Sequence, residues 1–173
     1  DRVKSAIRNS GFEYPVKHIT INLAPADIKK EGPLYDLGIA VGILSASEQI
    51  VKKTYKDYVF LGELSLDGTI KKVKGVLPML ISALKLGYKN VIIPKDNTEE
   101  ASYIANMNIF AFSNLTEVIS VLNGEDDINK FKVPTKKFED IRLINTNKLD
   151  FENVKGQKMA KRALEIAAAG GHN

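Results

Sequence analysis

The sequence predicts an α/β (α+β) domain, a mixed sheet with packed helices, on three observations. Asp67-Gly68 lies between two strand-like runs, residues 58–66 and 69–73, and that dipeptide favours the positive φ of a tight hairpin. Residues 76–123 then alternate between helical and strand patterns. Residues 35–47 are apolar nearly all round, which suits a helix only when it is buried.

Taken in order, Val3, Ile7 and Phe12 stand near helical spacing and Ser10-Gly11 supplies a stop, so residues 1–10 read as helix. Residues 18–23 alternate with period two and predict a half-buried strand, ended by Ala24-Pro25. Residues 24–34 read as a loop broken by Pro25, Gly32 and Pro33. Asp36 is placed to cap the buried helix that follows, and Gly38 and Gly42, one turn apart, would admit another backbone. After the hairpin a helix is expected over 76–86, closed by Gly87, then a short buried strand at 91–93 stopped by Pro94. Helix, strand and helix follow at 97–105, 107–112 and 114–123, and Asn123-Gly124 ends the first domain, 1–123. Residues 124–149, polar and broken by Pro134, read as a linker, and 150–173 as the opening helix of a second domain. The chain opens on helix at Asp1 without a methionine, so it is expected to be a piece of something longer at both ends.

Composition narrows the chemistry. There is no cysteine, which excludes disulfides and thiolate zinc sites, and His18 and His172 are too few to suggest a metal. No apolar run approaches the ~18 residues of a membrane span and no signal peptide precedes the first helix, so a cytoplasmic protein is expected. The formal charge of +4 permits nucleic-acid binding without arguing for it.

Three segments carry a resemblance. Lys30-Glu31-Gly32-Pro33-Leu34-Tyr35-Asp36-Leu37 and Gly62-Glu63-Leu64-Ser65-Leu66-Asp67-Gly68, the latter with Val91-Ile92-Ile93-Pro94-Lys95, resemble the proteolytic domain of Lon proteases. Together with Phe151 to Gln157 and Ala160 to Asn173, they resemble the Mg-chelatase-related AAA+ ATPases of the competence protein ComM type. Asn22 to Asp27 and Ile166 to Asn173 fit that family closely, so the resemblance covers nearly the whole chain. It implies a Lon-type fold related to the second domain of ribosomal protein S5, with two further strands upstream of Asp1. It also implies an AAA+ motor whose phosphate loop would follow Asn173, using ATP and Mg2+ in the full-length protein, with none expected on this fragment. The family's role is a ring-forming helicase, with a hexamer the expected ring, acting in DNA branch migration during natural transformation. The alternative is a magnesium-chelatase-like subunit whose motor remodels a protein partner.

Lon-type proteolysis needs a serine activated by a lysine. The resemblance sets those positions on Leu34 and Leu77, neither of which can attack a carbonyl or take a proton, so no catalytic residue is expected. A displaced dyad would have to use Ser45, Ser47 or Ser65 with Lys74. Lys71, Lys72 and Lys74 are candidate DNA-phosphate contacts, although lysines on a strand edge also discourage aggregation. Lys52, Lys53 and Lys56 read as surface, and Glu63 and Asp67 as hairpin residues, not a converging carboxylate pair. Val154, Gly156 and Gln157 are implied to line an adenine pocket, while Lys161, Arg162 and Glu165 read as helix-surface pairs. No metal-ligand set is expected.

Overall fold

The computed structural model describes residues 1–23, 32–136 and 156–170, with the backbone alone at Lys53 and Thr54. It divides into two units, Asp1–Lys136 and Lys137–Asn173. Residues 24–31 of the loop expected over 24–34, and the later part of the expected linker, lie outside the described residues.

In the first unit, α1 (Arg2–Asn9) buries Ala6 and Ile7 against α2 (Asp36–Ala46), which buries Leu37, Ala40, Val41, Ile43 and Leu44. β1 (Tyr58–Phe60) is followed by the hairpin of β2 (Glu63–Leu64) and β3 (Ile70–Lys71), then by α3 (Val76–Lys85). β4 (Asn90–Pro94), α4 (Thr98–Ala101), β5 (Asn108–Phe112) and α5 (Leu115–Asn123) complete the run. Strands β1, β4 and β5 form a parallel sheet in that order, with Val59 beside Val91 and Val91 beside Ile109.

The sheet is covered on both faces, as parallel sheets require. Ile92, Phe110 and Phe112 pack with α1, α2 and α5; Val91, Ile93 and Ile109 pack with Val76, Leu80 and Ala101. Alternation along each strand sends successive side chains into opposite layers. Val91, Ile92 and Ile93 are all fully buried, each contributing roughly 1.5–3 kcal/mol by leaving water. The same core explains why short strands persist: the crossovers α3 and α4 bury their apolar faces on the sheet they connect.

Several expectations are corrected. Residues 58–60 do not belong to the hairpin; they pair in parallel with β4, and the chain changes sheets at Leu61-Gly62. Gly62 has no room for a side chain, because a Cβ there would stand 2.8 Å from Ile70 Cγ2. Residues 18–23 are not a strand. They pair with no strand among the described residues, and Ile21 is 50% exposed. Alternation supplies a face, whereas a strand also needs a neighbour for its backbone.

Asp36 is not a side-chain cap. Its carboxylate accepts from Arg2 Nε at 2.7 Å, from Arg2 Nη2 at 3.2 Å and from the Leu64 N–H at 3.2 Å, tying α1, α2 and β2 together. Gly38 meets Phe60 Cβ, but Gly42 faces open space, so only the first of these two glycines is closely approached. The helix expected over 97–105 is a 3-10 turn, Lys95–Asn97, leading into the four-residue α4. Packing also continues past residue 123. Phe131 stacks on Phe112 at 4.3 Å, the Val133 N–H donates to the Ile109 carbonyl at 2.8 Å, and the Lys136 N–H donates to that of Ser102. The first part of the expected linker is therefore packed on β5.

The second unit is described by α6 (Lys158–Gly170), preceded by Gly156 and Gln157. None of the residues of that helix is buried.

Candidate functional site

Leu34 lies in the 3-10 turn Pro33–Tyr35, held where its carbonyl accepts from the Gly62 N–H at 3.0 Å. Leu77 is the second residue of α3, which starts from Gly75 in the left-handed conformation. Both leucines are half-buried and pack against the same core layer, that of Val76, Leu80 and Val91. Beside them runs an apolar cleft of about 450 Å³ lined by Leu34, Val59, Leu61, Pro78 and Leu86. The serine in that cleft, Ser82, donates to the Pro78 carbonyl of its own helix at 2.9 Å. This is a surface for apolar contact, without a nucleophile and base in partnership.

The displaced serines fare no better geometrically. Ser47 donates to the Ile43 carbonyl at 3.0 Å and accepts from Gln49 Nε2 at 2.7 Å. Ser45 is half-buried near the end of α2, and Ser65 sits in the hairpin with its backbone bonded to Thr69 and Gly68. Lys74 is exposed. Among the described residues no serine hydroxyl is hydrogen-bonded to a lysine.

The lysine run has more structure behind it. Lys71, Lys72 and Lys74 are exposed while Ile70 and Val73 are buried, so the charges stand outward from two buried anchors. Asn97, fully buried, holds the run in place: its Oδ1 accepts from the Val73 N–H at 3.0 Å and its Nδ2 donates to the Val73 carbonyl at 2.8 Å. Nothing in the sequence pattern marked Asn97 as a tie to Val73; it stands only as the first residue of the helix expected over 97–105.

Glu63 stands opposite Lys71 across the hairpin. Asp67 Oδ1 accepts from the Thr69 N–H and Oδ2 from the Thr69 hydroxyl, both at 3.0 Å. Those two bonds, the backbone one foremost, hold the Asp67 carboxyl below the usual aspartate range, with a smaller contribution from Lys71. The two carboxylates thus serve the turn separately. Lys52 and Lys56 are exposed surface residues.

A second basic group was not read from the sequence. Lys95, Lys130 and Lys132 line a cleft of about 270 Å³ with Thr98, Ser113 and Glu117. They are scattered over the chain and converge only because the turns after β4 and α5 both pack on β5.

In the second unit Gly156 and Gln157 are exposed and both left-handed, at φ 75° and 55°, and the Gln157 carbonyl starts α6 by accepting from the Lys161 N–H at 2.9 Å. Val154 lies outside the described residues. Arg162 and Glu165 form an exposed ion pair at 3.2 Å. A turn of this kind can line the edge of a base. It cannot hold a triphosphate, since no G-x-x-x-x-G-K-[ST] pattern occurs in residues 1–173. The residues present do not make a site for ATP and Mg2+. Among the described residues there is no group of three or more potential metal ligands, and no helix is long and apolar enough to cross a membrane.

Comparison with known proteins matches residues 1–97 to the family described as subunit ChlI of Mg-chelatase, and residues 150–173 to magnesium chelatase, subunit ChlI. The competence protein ComM of Haemophilus influenzae is 43% identical over 175 residues, covering 100% of this chain and 34% of that protein. The uncharacterised protein YifB of Escherichia coli is 43% identical over 173 residues, covering 100% of this chain and 33% of its own length. Lon protease 2 of Bacillus subtilis is 32% identical over 141 residues, 79% of this chain and 25% of the protease. The chain therefore spans about a third of the length of the first two relatives.

Proposed function

This chain belongs to the Mg-chelatase subunit ChlI family, with a Lon-like first domain, and from that premise we propose that it is the non-proteolytic accessory part of an AAA+ motor that works on DNA in the cytoplasm. The observation that carries the reading is the pair Leu34 and Leu77. Where the Lon resemblance sets a serine and a lysine, two aliphatic side chains pack on one core layer beside an apolar cleft. A domain so built keeps the scaffold and loses peptide hydrolysis, because neither side chain can form or break a bond to carbonyl carbon.

The helicase assignment is what the family resemblance implies, the likeness to a competence protein supports a role in competence, and the DNA-facing surface draws on Lys71, Lys72 and Lys74. In the full-length protein ATP and Mg2+ would be held by AAA+ residues beyond this chain, in a ring of subunits, with Gly156 and Gln157 at the edge of the adenine. The experiment is ATP hydrolysis by the full-length protein with and without forked or single-stranded DNA. Stimulation by DNA is the expected result, and indifference to it overturns the reading.

A second reading, a chelatase-type subunit whose motor remodels a protein partner, is favoured by the family description itself. It gives an ATPase stimulated by a protein and indifferent to DNA. A serine-reactive phosphonate should leave the chain unlabelled under either reading, and labelling would restore the peptidase.

A further inference from the structure

We propose that the cleft of Lys95, Lys130 and Lys132 holds a backbone phosphate of the same nucleic-acid strand that crosses Lys71, Lys72 and Lys74. The inference rests on the nucleic-acid reading above and adds a second basic group to it.

Position is the first argument. Lys95 directly follows β4 and Ser113 directly follows β5, so the cleft opens at the carboxyl ends of parallel strands. Open α/β sheets characteristically take ligands there.

Continuity is the second. The Lys95–Asn97 turn touches both β3 and β5, and β5 in turn touches the 3-10 turn Ile128–Phe131. The two hydrogen bonds between Asn97 and Val73 tie the first lysine group to a residue two positions from Lys95. Six lysines therefore follow one another along this end of the unit: Lys71, Lys72 and Lys74, then Lys95, Lys130 and Lys132.

Charge is the third. Lys95 and Lys132 make no ion pair among the described residues, and both are exposed. Lys130 is paired with Asp126, an exposed pair that an incoming phosphate can replace. The acid lining the cleft, Glu117, is already engaged, its Oε2 accepting from the Ser113 N–H at 2.8 Å. The Thr98 hydroxyl donates to the Lys95 carbonyl at 2.6 Å, and the ammonium groups are the charged donors that line the cleft. Ammonium groups act as point charges without the fork that reads a base edge, so the contact recognises phosphodiester and ignores sequence.

The test uses the whole chain and a fluorescein-labelled oligothymidylate, followed by anisotropy across a series of KCl concentrations. Changing Lys95, Lys130 and Lys132 together to alanine should weaken binding roughly tenfold at low salt and flatten the log–log salt slope by about 0.7, the single-strand value for one phosphate. Lys85→Ala with Lys89→Ala, at the opposite end of the sheet, should leave the curve where it was. Thermal melts of the variants should superimpose, because all these side chains are exposed. If the cleft variant binds like the parent while alanine at Lys71, Lys72 and Lys74 weakens binding, the cleft proposal fails and the nucleic-acid reading stands. A parent chain that binds no strand even at low salt overturns both. Equal binding of polyglutamate through the same lysines overturns the assignment to phosphate.

Discussion

Two stretches of the first unit have nearly the same kind of sequence and opposite fates. Residues 63–71 and residues 18–23, the latter entered through 13–17, both alternate apolar with polar side chains, and both stretches lie against α2 or its neighbours. The first is a hairpin held from several sides. Asp36 receives the Leu64 N–H, Asp67 closes the turn through Thr69, the Ile70 N–H reaches the Ser113 carbonyl at 2.8 Å, and Asn97 grips Val73. The second is secured at its start, where Gln49 exchanges two hydrogen bonds with the backbone of Glu13, at 2.9 and 2.8 Å. From Lys17 to Leu23 no further tie of that kind appears among the described residues, and the side chains stand largely in solvent. Periodicity was equal; backbone partners were not. A strand is a relation between two segments, and one sequence window describes a single member of it.

That contrast can be broken deliberately. Asn97→Ala should have the largest effect, because it strands both the N–H and the carbonyl of Val73 in a buried site. The expected loss is about 3 kcal/mol in urea unfolding, and a loss under about 1 kcal/mol would mean the grip on Val73 is incidental. Gly68→Val should come next, at roughly 2–3 kcal/mol. Gly68 has φ 85°, a conformation that side chains rarely adopt, and a Cβ there would also force the Ser10 hydroxyl aside. Ile21→Ser should be smallest, within about 0.5 kcal/mol, since that side chain is half in solvent already. A cost for Ile21→Ser near that of Gly68→Val would show residues 18–23 packed as tightly as the hairpin, and the contrast would collapse.

The same physics separates what could be read from the chain and what could not. Strands β4 and β5 were legible because short apolar runs bounded by Pro94 and Ser113-Asn114 leave few alternatives. Helices α3 and α5 were legible from apolar spacing and from their glycine stops, Gly87 and Gly124. The exchange of sheets at Gly62 was hidden, since 58–66 is one unbroken strand-like run and its partners lie far along the chain. Asp36 was misread because an acid at a helix start suits a cap and an ion pair equally, and only Arg2 from α1 decides between them. Of the basic surface, the lysines adjacent in sequence were visible, whereas Lys95, Lys130 and Lys132 converge through packing on β5 alone. Leu34 and Leu77 carried their meaning only through resemblance, for two half-buried leucines are otherwise unremarked core.

The Asn97 amide has an orientation as well as a position. Its oxygen faces a donor and its nitrogen faces an acceptor on the same residue, Val73. Slow loss of ammonia from that amide would keep the shape and replace the nitrogen by a second oxygen, set 2.8 Å from a carbonyl oxygen. Attraction would become repulsion without any change in volume. Chemical ageing at this single site would thus loosen the basic strand from beneath, and it would register in a mass spectrum as a gain of about one dalton.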